Sequence, residues 1–188
     1  MTENPSALHY IVRQPSVEGG PRPPLLMLLH GYGSNEQDLM GLAPAINPTG
    51  YVYACPNAPI PFQLGPGQTG FGWMTPRGGG TPEETENSVQ LVGDFIDTIF
   101  EEFNVKPRQA LLLGFSQGGG MTYRCGLSRA DKFAGLVALS ATLPEQDELA
   151  AGIFGEQVVE ERSAHTTDVE IAGRARCETD PGGSAGIG

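Results

Sequence analysis

Positive charge is scarce in this chain. Its 11 lysines and arginines face 22 acidic residues, for a formal net charge of -11. A surface of that sign repels a phosphate backbone, which argues against nucleic acid as a partner. It also gives no electrostatic purchase on an anionic membrane. Solubility is the simplest use of the acidity. Cysteine is scarce as well. Cys55, Cys125 and Cys177 form no C-x-x-C pair, so neither a zinc site nor a disulfide framework is predicted, which fits a reducing compartment. Long hydrophobic runs are missing: the longest, Leu25 to Leu29, is far too short to cross a bilayer. Met1 to Gln14 shows no basic stretch leading into an apolar one, so no signal peptide is predicted and the cytoplasm is the expected location.

What remains is an ordinary globular composition, 39% apolar and 18% charged over 188 residues, which favours one domain. Leu8 to Val12 reads as a short edge strand. The runs Leu25 to Leu29, Tyr51 to Cys55, Ala110 to Leu113 and Ala134 to Leu139 are short, apolar and bounded by turn residues. Such runs fit strands buried on both faces, and these four are expected side by side in the centre of a sheet. Helical spacing appears between them. Asp38 to Ile46 places Leu39, Leu42, Ala43 and Ile46 on one face. Val89, Val92, Phe95, Ile96, Ile99, Phe100 and Phe103 mark a longer amphipathic helix. Thr81, Pro82 and Glu84 suit its N-cap, first position and reciprocal cap. Gln117 to Ser128 reads as a third helix. Strands alternating with helices imply a mostly parallel sheet. Pro61 to Pro82 is so rich in glycine that it reads as a long loop, and its Phe62, Phe71 and Trp73 suit either anchoring that loop or touching a ligand.

Two segments carry chemistry. Gly114-Phe115-Ser116-Gln117-Gly118 is a G-x-S-x-G sequence. The pattern alone is weak, but it follows an apolar strand and opens a helix, as a nucleophile elbow requires. The turn lifts the serine oxygen out of the sheet, and the helix start favours developing negative charge. His30-Gly31-Tyr32-Gly33 ends an earlier strand and can aim a second N–H at the same point, giving two donors for an oxyanion. His30 reads as a packing residue of that loop rather than a base.

These motifs, in order, resemble the carboxylesterase, lysophospholipase and acyl-protein thioesterase family of α/β-hydrolases. The resemblance rests on Leu28-Leu29-His30-Gly31-Tyr32-Gly33-Ser34-Asn35, Cys55-Pro56-Asn57-Ala58-Pro59, Gly72-Trp73-Met74, Gly114-Phe115-Ser116-Gln117-Gly118-Gly119 with Met121, and Leu139-Ser140-Ala141-Thr142-Leu143-Pro144. It implies an α/β-hydrolase fold with a mostly parallel sheet between helices. Ser116 would be the nucleophile, with oxyanion donors from the N–H groups of Tyr32 and Gln117, Trp73 in substrate binding, and a small-molecule ester or acyl-thioester as substrate. No cofactor or metal is implied, and no oligomeric state. Serine at the elbow argues against the neighbouring dienelactone-hydrolase type, which places cysteine there.

The resemblance covers roughly residues 8 to 148, giving an expected core of residues 1–148 and an atypical tail of residues 149–188. The family carries its acid in a His-Gly-x-x-Asp context and its histidine later. Here His165-Thr166-Thr167-Asp168 is faintly like the acid loop, nominating Asp168, and His165 is the one histidine after the elbow. Glu160, Glu161 and Arg162 stand where an apolar strand is expected, so the C-terminal strands are read as missing or replaced and the tail as poorly ordered. A serine without a base is a weak nucleophile. A second reading is therefore a catalytically impaired chain, truncated or altered in frame, that lacks the triad acid and base.

Overall fold

The computed structural model describes residues 7–15, 23–76 and 79–141. Within them, a five-stranded sheet is flanked by helices. Its strands are β1 (Tyr10–Arg13), β2 (Leu25–Leu29), β3 (Val52–Pro56), β6 (Ala110–Phe115) and β7 (Phe133–Leu139). A hairpin of β4 (Ile60–Gly65) and β5 (Gln68–Gly72) stands apart from the sheet. The helices are α1 (Glu36–Met40), α2 (Ala43–Ile46), α3 (Pro82–Glu102) and α4 (Gln117–Leu127).

The sheet runs in the order β1-β3-β2-β6-β7, with every pairing parallel except the antiparallel edge β1 on β3. All five residues of β2 are buried, as are all five of β3. Alternate side chains of β2 enter opposite layers. Leu25, Met27 and Leu29 pack into the core that holds Val92, Ile96 and Ile99 of α3 and Met121 and Cys125 of α4. Leu26 and Leu28 join Tyr53, Cys55, Leu39 and Ala43 on the other face. That double cover is why these strands read as unbroken apolar runs.

Four expectations are corrected. Ala134 to Leu139 is not central: among the described residues β7 is the last strand of the sheet, and Val137 and Leu139 are 37% and 47% exposed. The stretch from Pro61 is not a plain loop, because β4 and β5 pair through Pro61↔Phe71 and Phe62↔Gly70. Their turn is made by Pro66 and Gly67, whose φ of +72° only glycine adopts freely. Nor does Glu84 return to cap its own helix. Thr81 accepts from the Glu84 N–H at 3.2 Å, but the Glu84 carboxylate accepts from the backbone N–H and hydroxyl of Thr75. The helix expected over Asp38 to Ile46 is broken into α1 and α2 around Gly41 and Leu42. The division at 148/149 and the expected disorder of the tail fall outside the described residues.

Candidate active site

Strand order locates the site. The chain goes from β2 outward to β3 on one side, then returns to β6 on the other. The strand order therefore reverses between β2 and β6, and in open α/β sheets the carboxyl ends of the strands at that point form a crevice. The pairing Leu29↔Gly114 puts the two strand ends level, so the loops that follow are neighbours. One loop carries Tyr32 and the other carries Ser116.

Ser116 has φ +53° and ψ -116°, a left-handed conformation that an L-residue holds only when its surroundings enforce it. Two contacts enforce it here. The Ser116 N–H donates to the Leu139 carbonyl at 2.8 Å, and its own carbonyl accepts from Gly120 at 3.1 Å as α4 begins. A side chain at Gly118 would collide with the Leu29 carbonyl oxygen, so α4 starts hard against the end of β2. Gln117 is the first residue of that helix, and the first turn leaves its N–H groups without intrahelical partners.

The facing loop is fixed just as firmly. The Gly33 N–H donates to the Phe71 carbonyl, and the Phe71 N–H to the Ser34 carbonyl, both at 2.8 Å. The Tyr32 ring meets Phe62 edge-on at 4.8 Å between centroids. Gly31 lies so close to the elbow that a β-carbon there would stand 3.5 Å from Ser116 Cβ. Tyr32 N–H makes no backbone hydrogen bond among the described residues. Ser116 itself is half-exposed between the two loops.

His30 is committed to structure. It is 1% exposed, its Nδ1 lies 2.8 Å from the Gly31 carbonyl, and its Nε2 accepts from the Ala58 N–H at 3.0 Å. That pairing makes Nδ1 the protonated nitrogen. Burial lowers its pKa, against a smaller opposing pull from the Gly31 hydrogen bond. His9 lies before β1, three strand spacings from β6, or about 14 Å. Its side chain is 71% exposed and lies 3.7 Å from Glu36. Neither described histidine serves Ser116. Asp168 and His165 lie outside the described residues. Burial pushes the Cys55 and Cys125 thiols up to about 12, so neither offers a competing thiolate.

Trp73 is wholly buried, and its indole N–H donates to the His30 carbonyl at 2.8 Å. It anchors its segment and presents no surface to a ligand. Sequence reading passed over the side chain of Gln117, which reaches across to the backbone of residues 73 and 74. Beside it opens a cleft of about 350 Å³, walled by Met74, Thr75 and Pro76 and by Thr81, Pro82 and Thr85.

A model of the phospholipase/carboxylesterase family matches residues 15–168, past the point where the composition changes. Among solved structures, the esterase PE8 is 25% identical with a TM-score of 0.63, over 78% of this chain and 69% of that one. A Bacillus cereus carboxylesterase is 19% identical with a TM-score of 0.58, over 74% of this chain and 62% of that one. SOBER1 of Arabidopsis thaliana is 19% identical with a TM-score of 0.57, over 70% and 67%. The chain therefore spans about two thirds of the length of the structures it resembles. None of these matches supports the reading of an impaired or frame-altered chain. With the family model covering most of the sequence and the elbow built as the fold requires, the chain belongs to the phospholipase/carboxylesterase family of α/β-hydrolases.

Proposed function

We propose that this chain hydrolyses small carboxylic ester or thioester substrates through an acyl-serine intermediate on Ser116. The observation that carries the proposal is the left-handed Ser116 at the start of α4, set beside the Tyr32 loop where the strand order reverses. In the first half-reaction the Ser116 oxygen adds to the substrate carbonyl carbon and gives its proton to a base. The carbonyl oxygen becomes an oxyanion that accepts from the Tyr32 and Gln117 N–H groups. The tetrahedral adduct collapses, the C–O or C–S bond breaks, and the alcohol or thiol leaves with the proton. Water then repeats the addition on the acyl-serine and releases the acid.

Asp168 falls within the family match and is the residue we carry forward as the triad acid. Neither described histidine suits the role of base, since His30 is consumed by packing and His9 stands too far away; His165 is the candidate we carry forward for it. A cytoplasmic setting is part of the reading. Two buried, unpaired cysteines favour it, and no helix among the described residues is long and apolar enough to cross a membrane.

The test is covalent. A fluorophosphonate probe should label Ser116, and Ser116→Ala should abolish both labelling and turnover of p-nitrophenyl acetate. Labelling or turnover that survives this substitution overturns the proposal. His165→Ala should lower turnover by roughly 10⁶-fold if that imidazole is the base; unchanged turnover removes it from the mechanism.

A further inference from the structure

The main chain of Gln117 faces the site, while its side chain turns away to hold another segment. The carboxamide oxygen accepts from the Trp73 N–H at 2.8 Å and the Met74 N–H at 3.4 Å. The carboxamide nitrogen donates to the Met74 carbonyl at 2.6 Å. All three partners are backbone groups, so the grip fixes the chain path and not one neighbouring side chain. Trp73 is held a second time. Its buried indole N–H donates to the His30 carbonyl, and its ring lies 5.4 Å from the imidazole. Residue 73 is therefore hydrogen-bonded to both strand-end loops, by its backbone to residue 117 and by its side chain to residue 30.

Those two loops carry the N–H groups of Tyr32 and Gln117. The space between them is closed as well as bonded. A β-carbon at Gly72 would stand 2.8 Å from the Phe62 ring, 3.0 Å from the Tyr32 ring and 3.1 Å from the Gln117 carboxamide oxygen. Glycine at that position lets all three groups converge. An oxyanion hole acts through donors whose spacing is set before reaction, so a shift in one donor weakens it steeply.

We infer that the Gln117 carboxamide and the Trp73 indole form a positioning bridge that sets the separation of the two oxyanion donors. The inference rests on the acyl-serine reading above. Gln117 thus contributes twice, with its N–H to the oxyanion and with its side chain to the placement of the opposite donor. Because the bridge serves the tetrahedral adduct, breaking it lowers kcat and leaves KM for a small acetyl ester nearly unchanged.

The experiment uses the full chain and three substitutions. Gln117→Met keeps the length and removes every hydrogen bond. Gln117→Glu keeps the acceptor and loses the donor to Met74. Trp73→Phe removes the indole N–H. The readouts are the rate constant for fluorophosphonate labelling per folded molecule, and kcat and KM on p-nitrophenyl acetate. Gln117→Met and Trp73→Phe should each slow labelling and kcat by about 10–100-fold, with KM within about threefold. Gln117→Glu should fall between wild type and Gln117→Met. The double variant should be hardly slower than the slower single variant, because both break one bridge. Wild-type labelling and kcat in Gln117→Met or Gln117→Glu overturn the bridge, as do single effects that multiply in the double variant. A wild type that takes no label at Ser116 overturns the acyl-serine reading itself, whereas a labelled wild type with unaffected variants overturns the bridge alone.

Discussion

Strands β2 and β7 flank the same partner, β6, and both are made almost wholly of apolar residues. Their fates differ. Every residue of β2 is buried between two layers, while β7 buries Phe133 and leaves Val137 and Leu139 open. Apolar content makes a strand suited to burial, but the elements stacked on it and paired beside it decide whether burial happens. β2 has a strand on each side and helices on both faces; β7 is the last strand among the described residues.

That contrast can be broken by experiment. A charge at its two poles gives the largest expected difference. Met27→Asp places a carboxylate in a wholly buried layer without a partner, which costs several kcal/mol and should leave the chain unfolded. Val137→Asp should lower the unfolding free energy, read from urea melts, by about 1 kcal/mol or less. Equal damage at both positions would mean that β7 is as enclosed as β2. Truncation gives a smaller version of the same test. Leu28→Ala should destabilise by about 2–5 kcal/mol, against about 1 kcal/mol or less for Leu139→Ala. Leu139 contributes its carbonyl to Ser116, and alanine retains that group.

The smallest effect concerns the end of β2, where His30 is held neutral. Its folded pKa lies below the ordinary 6.5, because burial penalises the charged ring. The stabilisation is fully present above pH 6.5 and is lost as the pH falls through the folded value. Unfolding free energy should therefore decline on acidification below that point, and His30→Asn should flatten this part of the curve. A slope that survives the substitution would assign the effect to other groups.

Much of this was legible in the sequence, and the reasons for success and failure are local. β2, β6 and the elbow were readable because an unbroken apolar run, a glycine-serine turn and a helix start follow one another without interruption. The long helix α3 was readable from its three- and four-residue spacing, and Thr81 at its cap is where that pattern placed it. The hairpin β4–β5 was missed because glycine and proline count against a strand. Its own signal was the Pro66-Gly67 pair, which forms a tight turn. The destinations of Gln117 and Glu84 were not readable. Gln117 meets a partner 44 residues away, and no periodicity carries information over that distance. Glu84 had a good local use as a cap, and a pair of donors on Thr75, nine residues before it, took it instead. For Ser116, Tyr32 and Gln117 the sequence supplied candidates, and the level pairing of β2 with β6 explains why their loops are neighbours. His165 and Asp168 had no such support, since nothing around them reads as a strand end.

The fit of Gly118 against the Leu29 carbonyl has a practical consequence for anyone redesigning this molecule. The helix that starts at Ser116 is registered on the sheet by backbone touching backbone, with no side chain between them. Swapping core residues of α3 or enlarging the cleft near Met74 alters packing at some remove from that contact. Such changes should leave Ser116 at its address. Residue 118, by contrast, admits no variation: one added methyl group would lift α4 off the sheet and carry the Ser116 hydroxyl with it.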